Sequence, residues 1–573
     1  MVGSDSSHGN LYLDKITRLL VTDYALFPSF TPDKTTVEEL WSIVEIFRPV
    51  QVAAKTSLTH SIEFELPSDP TKSIPSHRYQ EVQPLKFPRG FKFGVASSAP
   101  QSEGAAKEDG KGPTLWDYLP HLFPPFLMET ADIVGDFYHR YRNDIARMKA
   151  MGINSWSLSI AWARIYPLGS GEVNEAGLEF YDRVIDELIR NNIEPVVTLL
   201  HFDVPLALVA RYGGMLSPKI IADFNKYAET VFRRYGDRVK YWITMNEPRT
   251  YCISNNLPPY DQVYPTGINA KNADYHCIHN SLVAHGTAVQ TYRKLVKDGT
   301  IVSGQIGVKN EFSKPTPYTD FTEDKEAAQR TADFLLGIVA KPIFIDGDYP
   351  TICKETLGDM LPPLTAEEQI LVKGSADFYV QNLYDVLLAK AAPNGIRACS
   401  SNQSDPLWPI CRDSSSKYMA AVPGGWGNGQ QSDPSTTTFI NTWFAVRDQL
   451  KYLAKTYPTT GGIYIGEFGW PEAFEGKRNE LYQIVSDYGR EAYFLDYLNE
   501  FLLSVNEDGV NLKGVFAWAP YDDYEFLSGT SQKLGFQYVN FTDPTLPRTF
   551  KRSFFSVRNF MRQHLLVSDF NSS

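Results

Sequence analysis

PVVTLLHF at 195–202 and YWITMNE at 241–247 are two short apolar runs, with one helix-length segment between them. In that segment Ile220, Ile221, Phe224, Tyr227, Ala228, Val231 and Phe232 recur at helical spacing. Ser217 and Pro218 read as an N-cap and a first-turn proline, and Gly236 as a stop. A strand, a helix with one apolar stripe and a second strand make the repeating unit of a parallel sheet covered by helices. The segment before residue 195 carries a similar stripe, Leu178, Tyr181, Val184, Ile185 and Leu188.

Outward from this unit the alternation continues in both directions. Candidate strands fall at 91–98, 155–162, 195–202, 241–247, 303–310, 377–384, 462–467 and 512–520. Eight units in one register predict an α/β fold, a closed (β/α)8 TIM barrel. An open doubly wound sheet would carry about six strands and a Gly-rich phosphate turn, and no GxGxxG occurs. Residues 1–86 stand outside the alternation, with one helix predicted near 37–47 and a Pro/Ser-rich stretch at 67–77. They are expected to form an N-terminal extension that packs on the barrel or trails from it, leaving 87–573 as the catalytic barrel domain. A long insertion after the sixth strand, 385–438, is rich in Pro, Gly, Ser and Asn. It is expected on the C-terminal side of the strands, where barrel enzymes place their chemistry.

The 573 residues are 43% hydrophobic and 21% charged, ordinary for a globular chain. No run reaches the roughly 18 apolar residues of a membrane span, which argues against membrane insertion. A net charge of -12 and a pI near 5.4 leave no basic stripe for a nucleic acid. A neutral small molecule fits better, and an aromatic content of 13% supplies ring faces for sugars as well as core packing.

Cys252 with Cys277, and Cys399 with Cys411, lie close in sequence in loop-like segments, while Cys353 stands alone. This reads as two local disulfides and a free thiol, with five buried thiols as the alternative. Sequons at Asn402, Asn540 and Asn571 permit glycosylation and, with the cysteines, point to a secreted, extracellular protein. The opening MVGSDSSHGN has no basic region followed by an apolar one, so it is read as a start from which a signal has been removed. No metal site is expected: His77, His121 and His139 lack partners at ligand spacing, and His276, Cys277, His279 and His285 read as part of a helix. No cofactor motif occurs either.

The fourth and seventh strand candidates both end on a glutamate, ITMNEP at 243–248 and IYIGEFG at 463–469. In a closed barrel those ends converge on one mouth. Two carboxylates about 5 Å apart are what a retaining glycosidase needs, one to attack the anomeric carbon and one to protonate the leaving oxygen. Their environments must separate their pKa values, so positive or hydrogen-donating groups are wanted near Glu467. A strand-end glutamate taken singly reads equally as a solvated rim residue.

From about residue 86 to 566 the chain resembles glycoside hydrolase family 1, the β-glucosidase family. The resemblance is carried by FGVA (93–96), QSEG (101–104), WD (116–117), SIAWARIYP (159–167), HFDVP (201–205), TMNEP (244–248), NLY (382–384), EFG (467–469) and WAPYDDYE (518–525). The extension and paired cysteines are most similar to secreted fungal members. The resemblance implies Glu247 as acid/base and Glu467 as nucleophile, with Arg164 and Tyr384 holding the nucleophile. It implies that Asn246 binds the hydroxyl beside the anomeric carbon, that Gln101, His201 and Glu525 bind the other glycone hydroxyls, and that Trp518 is a stacking platform. The implied partner is a small-molecule β-glycoside or oligosaccharide, with transfer to another sugar as a possible side reaction. The chain departs from the family at Phe202, Phe526 and Phe468, where the pattern has Trp, Trp and Asn; Phe526 keeps its place among the substrate-binding residues. Two other readings stay open. One is a non-catalytic glycan-binding protein on the same barrel; the other is a 6-phospho-β-glycosidase, which Glu525 and the KLG at 533–535 oppose.

Overall fold

The computed structural model describes residues 35–45, 48–53, 85–122, 129–253, 264–413, 429–432, 439–526 and 528–570. The 67–77 stretch, His77 and Asn571 lie outside them. Eight parallel strands close into a barrel: β1 Lys92–Ala96, β2 Ser155–Ser159, β3 Glu194–Leu200, β4 Tyr241–Asn246, β5 Gln305–Asn310, β6 Tyr379–Asn382, β7 Ile463–Phe468 and β8 Leu512–Ala517. Each pairs with its neighbour in sequence, and β8 returns to β1 with Phe93 opposite Val515.

Side-chain alternation along the strands divides the core in two. Val196, Ile243, Phe378, Val380, Tyr464 and Phe516 form the inner cluster. Val197, Leu199, Trp242, Ile306, Val308, Ile465 and Val515 belong to the larger cluster that includes the helix faces. The helix Lys219–Tyr235 buries Ile220, Phe224, Tyr227, Ala228, Val231 and Phe232 in that cluster, with Ile221 at its edge. Ser217 is extended, and its Oγ accepts a hydrogen bond from Lys219 N at 3.4 Å, so the cap sits just before Pro218. The helix Glu175–Arg190 buries Leu178, Tyr181, Val184, Ile185 and Leu188 in the same manner.

Ahead of the barrel, the helix Val37–Val44 is opened by a capping box between Thr36 and Glu39. Its Trp41 and Val44 pack with Tyr118 and Leu206, and Trp41 Nε1 donates to Lys111 O at 2.8 Å. Disulfides join Cys252 to Cys277 and Cys399 to Cys411, and Cys353 is a buried free thiol. The first bridge ties the helix after β4, Pro248–Ile253, to the long helix Ala273–Lys297. That long helix also carries His276, His279 and His285; His285 is buried, and its Nδ1 lies 2.7 Å from Thr244 Oγ1 on β4. Among the described residues no helix is long and apolar enough to cross a membrane.

Candidate active site

β4 and β7 both shift register just before their glutamates, between Ile243 and Asn246 in one and between Ile465 and Glu467 in the other. Such irregularities re-aim a side chain at a barrel rim. Glu247 has a φ of 44° and Phe202, just beyond β3, a φ of 69°, left-handed conformations that are uncommon outside glycine. Strands β5 and β6 lie between β4 and β7, so their C-terminal residues are placed to bridge the two glutamates.

The bridging groups are well defined. Asn382, at the end of β6, donates from Nδ2 to Glu247 Oε1 at 2.8 Å and to Asn246 Oδ1 at 3.2 Å. Tyr384 OH donates to Glu467 Oε2 at 3.0 Å, and Lys309 Nζ, on β5, donates to Glu467 Oε1 at 3.1 Å. Glu467 therefore has a hydrogen-bonded partner on each oxygen, one of them a cation. Among the described residues Glu247 has no cation in direct contact. Burial first, and the charge of Glu467 second, push its carboxyl up to about 7. Behind it Glu311 is buried and accepts from Thr250 N at 2.6 Å; burial and then the charge of Glu247 drive it well above the usual carboxylate range.

Arg164 is not at this site. β2 ends at Ser159 and the chain turns into the short helix Trp162–Ile165, which carries the guanidinium away from Glu467. Its Nε donates to Glu103 Oε2 at 3.2 Å, and the group lies 4.5 Å from the centre of the Tyr138 ring. The expectation that it holds the nucleophile is corrected: the cation at Glu467 is Lys309. One signal for it stood in the sequence. QIGVKN at 305–310 is an apolar strand interrupted by a lysine, and buried lysines are rare unless paired.

The other predicted residues gather around the same mouth. His201 is buried and held neutral, its pKa pushed well down by burial and then by Lys309. Asn246 Nδ2 lies 3.2 Å from His201 Nε2 and Asn246 Oδ1 already accepts from Asn382, so the ring proton belongs on Nδ1, which has no partner among the described residues. Gln101 is buried, with Oε1 accepting from Ser98 Oγ at 2.7 Å and Nε2 donating to Tyr524 O at 2.8 Å. One N–H and one lone pair of its amide remain to meet a ligand. Trp518 stacks on His201 at 5.8 Å and donates from Nε1 to Glu525 Oε1 at 2.8 Å. Burial pushes Glu525 up to about 8 despite that bond. Asp523, part of WAPYDDYE but given no role there, is buried with both carboxylate oxygens unpartnered among the described residues.

Phe526 packs 4.2 Å from Trp116 and 5.4 Å from Phe202, making one aromatic wall beside His201. Phe468 belongs elsewhere: it is fully buried among Phe494, Tyr497 and Phe501 of the helix Tyr488–Asn506, outside the barrel.

This arrangement has relatives. A family model described as Glycosyl hydrolase family 1 matches residues 83–565. The chain is 36% identical over 478 residues to Beta-glucosidase 40 of Arabidopsis thaliana, covering 80% of this chain and 89% of that protein. A mutant of the rice β-glucosidase Os3BGlu6 in a covalent complex with Glc superposes with a TM-score of 0.75 at 34% identity, covering 83% of this chain and 99% of the rice chain. The β-glucosidase of Trichoderma harzianum does so with a TM-score of 0.76 at 31% identity, covering 84% and 98% of the two chains.

Proposed function

Because this chain belongs to glycosyl hydrolase family 1, we propose that it is a retaining, exo-acting β-glycosidase of the β-glucosidase/β-galactosidase type, with Glu467 as nucleophile and Glu247 as acid/base. The observation that carries this reading is the unequal treatment of the two glutamates: Glu467 touches a lysine ammonium, and Glu247 is raised to about 7. A carboxyl raised to that level is protonated through the acid range and can donate. In the first step an oxygen of Glu467 bonds to the anomeric carbon while the bond to the aglycone oxygen breaks, and that oxygen takes the proton of Glu247. The ester so formed is neutral. In the second step water attacks the anomeric carbon, its proton passes to the Glu247 carboxylate, and the electron pair of the ester bond returns to Glu467. The covalent Glc complex of the rice relative supports such an intermediate.

The glycone would lie between Trp518 and the polar edge formed by Gln101, His201, Asn246 and Glu525. The orphan His201 Nδ1–H and the free capacity of Gln101 support hydroxyl recognition there. The carboxyl groups of Asp523 and Glu525 offer a phosphate no positive charge, which supports a neutral sugar. Release of nitrophenol from aryl β-glucosides or β-galactosides is expected, and NMR should show the β-anomer formed first. A barrel that binds these sugars without cleaving them, or that yields the α-anomer first, refutes the reading.

Phe202 and Phe526 bear on which sugar is accepted. An indole in either place would add a donor that a mismatched hydroxyl leaves unpaired, and the phenylalanines offer none. Similar efficiency on β-glucosides and β-galactosides, or preference for an unusual glycone, is therefore expected. Phe526→Trp is expected to shift the ratio of kcat/KM for the two aryl glycosides by about 1 kcal/mol, the worth of one neutral hydrogen bond. A folded variant with an unchanged ratio would make the aromatic wall packing only.

A further inference from the structure

Lys309 is 2% exposed, and no motif assigns it a role. Its ammonium meets Glu467 Oε1, while its carbonyl accepts from Glu247 N at 3.0 Å, so one residue is bonded to both glutamates. The side chain lines a small cavity inside the barrel with Ser157, Val196, Ile243, Phe378, Val380 and Phe516. None of those residues carries a negative charge, so an ammonium turned back into the barrel would leave its ionic partner Glu467 for a largely apolar lining. The other lysine of that cavity, Lys92, is paired with Glu194. Gly466 keeps the upper passage open: a Cβ there would stand 3.3 Å from Lys309 Cδ and 2.7 Å from Asn382 Oδ1. Lys309 is thus held with its charge against Glu467, and Arg164 is committed to Glu103.

We propose that Lys309 is the positioning residue that distinguishes the nucleophile from the acid/base and drives breakdown of the glycosyl-enzyme. This rests on the retaining reading above. In the free enzyme the ammonium faces a carboxylate. Once the anomeric carbon is bonded to Glu467, the ester is neutral and the ammonium has lost its counter-charge. When water attacks and the ester bond breaks, the electron pair returns to Glu467 beside Lys309. The charge therefore opposes formation of the intermediate and favours its hydrolysis, so its loss must slow the second step more than the first.

The test uses the full-length protein with Lys309→Met, Lys309→Gln and Lys309→Arg, each checked for native thermal unfolding. With a dinitrophenyl β-glycoside, Lys309→Met is expected to show a burst of phenol release followed by a kcat at least about tenfold lower. KM should fall with it, so that kcat/KM changes less. The adduct formed by a 2-deoxy-2-fluoro-β-glycoside should reactivate more slowly in the same proportion. Lys309→Arg, which keeps the charge, should recover part of the rate, and Lys309→Gln, which keeps only a donor, should not. If Lys309→Met does not fold, the contrast between Arg and Gln decides alone. Equal losses of kcat and kcat/KM without a burst, or no difference between Arg and Gln, would overturn the proposal. The two levels separate in the wild type: absence of any adduct on Glu467 removes the retaining reading itself, whereas a normal adduct with indifferent Lys309 variants removes only the lysine.

Discussion

Glu467→Ala is expected to lose on the order of 10^5-fold in kcat/KM on every β-glycoside, because no other described carboxylate stands where it could attack in its place. Glu247→Ala should behave differently. A dinitrophenolate scarcely needs protonation to leave, so the first step survives on that substrate and the glycosyl-enzyme accumulates for want of a base. Azide, which needs no base, should then restore turnover and yield a β-glycosyl azide. Near-wild-type turnover by Glu467→Ala would sink the assignment of roles. The pH dependence tests the same pair. Glu247 must carry its proton in the first step, and burial together with the neighbouring Glu467 charge sets its pKa at about 7. The raised value means that the acid form is present below pH 7 and lost above it, so kcat/KM on substrates with poor leaving groups should fall above about pH 7. Forming the glycosyl ester removes the Glu467 charge, the second cause of the shift, which lets Glu247 release its proton and act as the base. Glu247→Gln should lack the basic limb; a limb that persists in that variant belongs to another group.

A second large effect is expected far from the chemistry, at Arg490. This residue is fully buried, with Nη1 on Asp487 Oδ2 at 2.9 Å, Nη2 on Glu475 Oε2 at 2.5 Å and Nε donating to Trp470 O at 3.0 Å. Lys551 joins Glu475 Oε1 and Asp522 Oδ1, each at 2.6 Å, and Ser553 N and Oγ donate to Asp487. The network ties the loop after β7, the start of the helix Tyr488–Asn506, the C-terminal helix Arg552–His564 and the loop after β8. Asp522 lies three residues before Glu525, so the same ion pairs anchor the segment that presents Trp518 and Glu525. Arg490→Met takes the guanidinium from buried Asp487 and leaves Glu475 to share Lys551 with Asp522, and breaking a buried ion network from one side costs about 3–5 kcal/mol. Urea unfolding should show a loss of that size, with KM rising as the loop after β8 loosens. A variant within about 1 kcal/mol of wild type would mean that solvent or rearrangement replaces the pairs.

The barrel and the meeting of Glu247 with Glu467 were legible in the chain because both follow from local pattern plus closure. The runs at 195–202 and 241–247 are too short and too β-branched for helices, and the stripe from Ile220 to Phe232 is helix-spaced. Strands eight to a barrel must bring their C-terminal ends to one rim, so a glutamate ending β4 and another ending β7 share a mouth whatever the loops do. Which groups reach them could not be read in that way. Lys309 points inward and Phe468 outward through side-chain parity on strands whose partners carry register shifts, and a shift of one residue reverses that parity. Arg164 sits seven residues beyond Ser157, a strand serine that lines the same cavity as Lys309, but the turn into the helix Trp162–Ile165 sends its guanidinium to Glu103. The sequence by itself determined the barrel and where the two carboxylates end their strands. Only the tertiary structure decided that a lysine from β5, rather than the arginine after β2, faces Glu467, because side-chain direction at a strand end depends on register and on where the chain leaves the sheet.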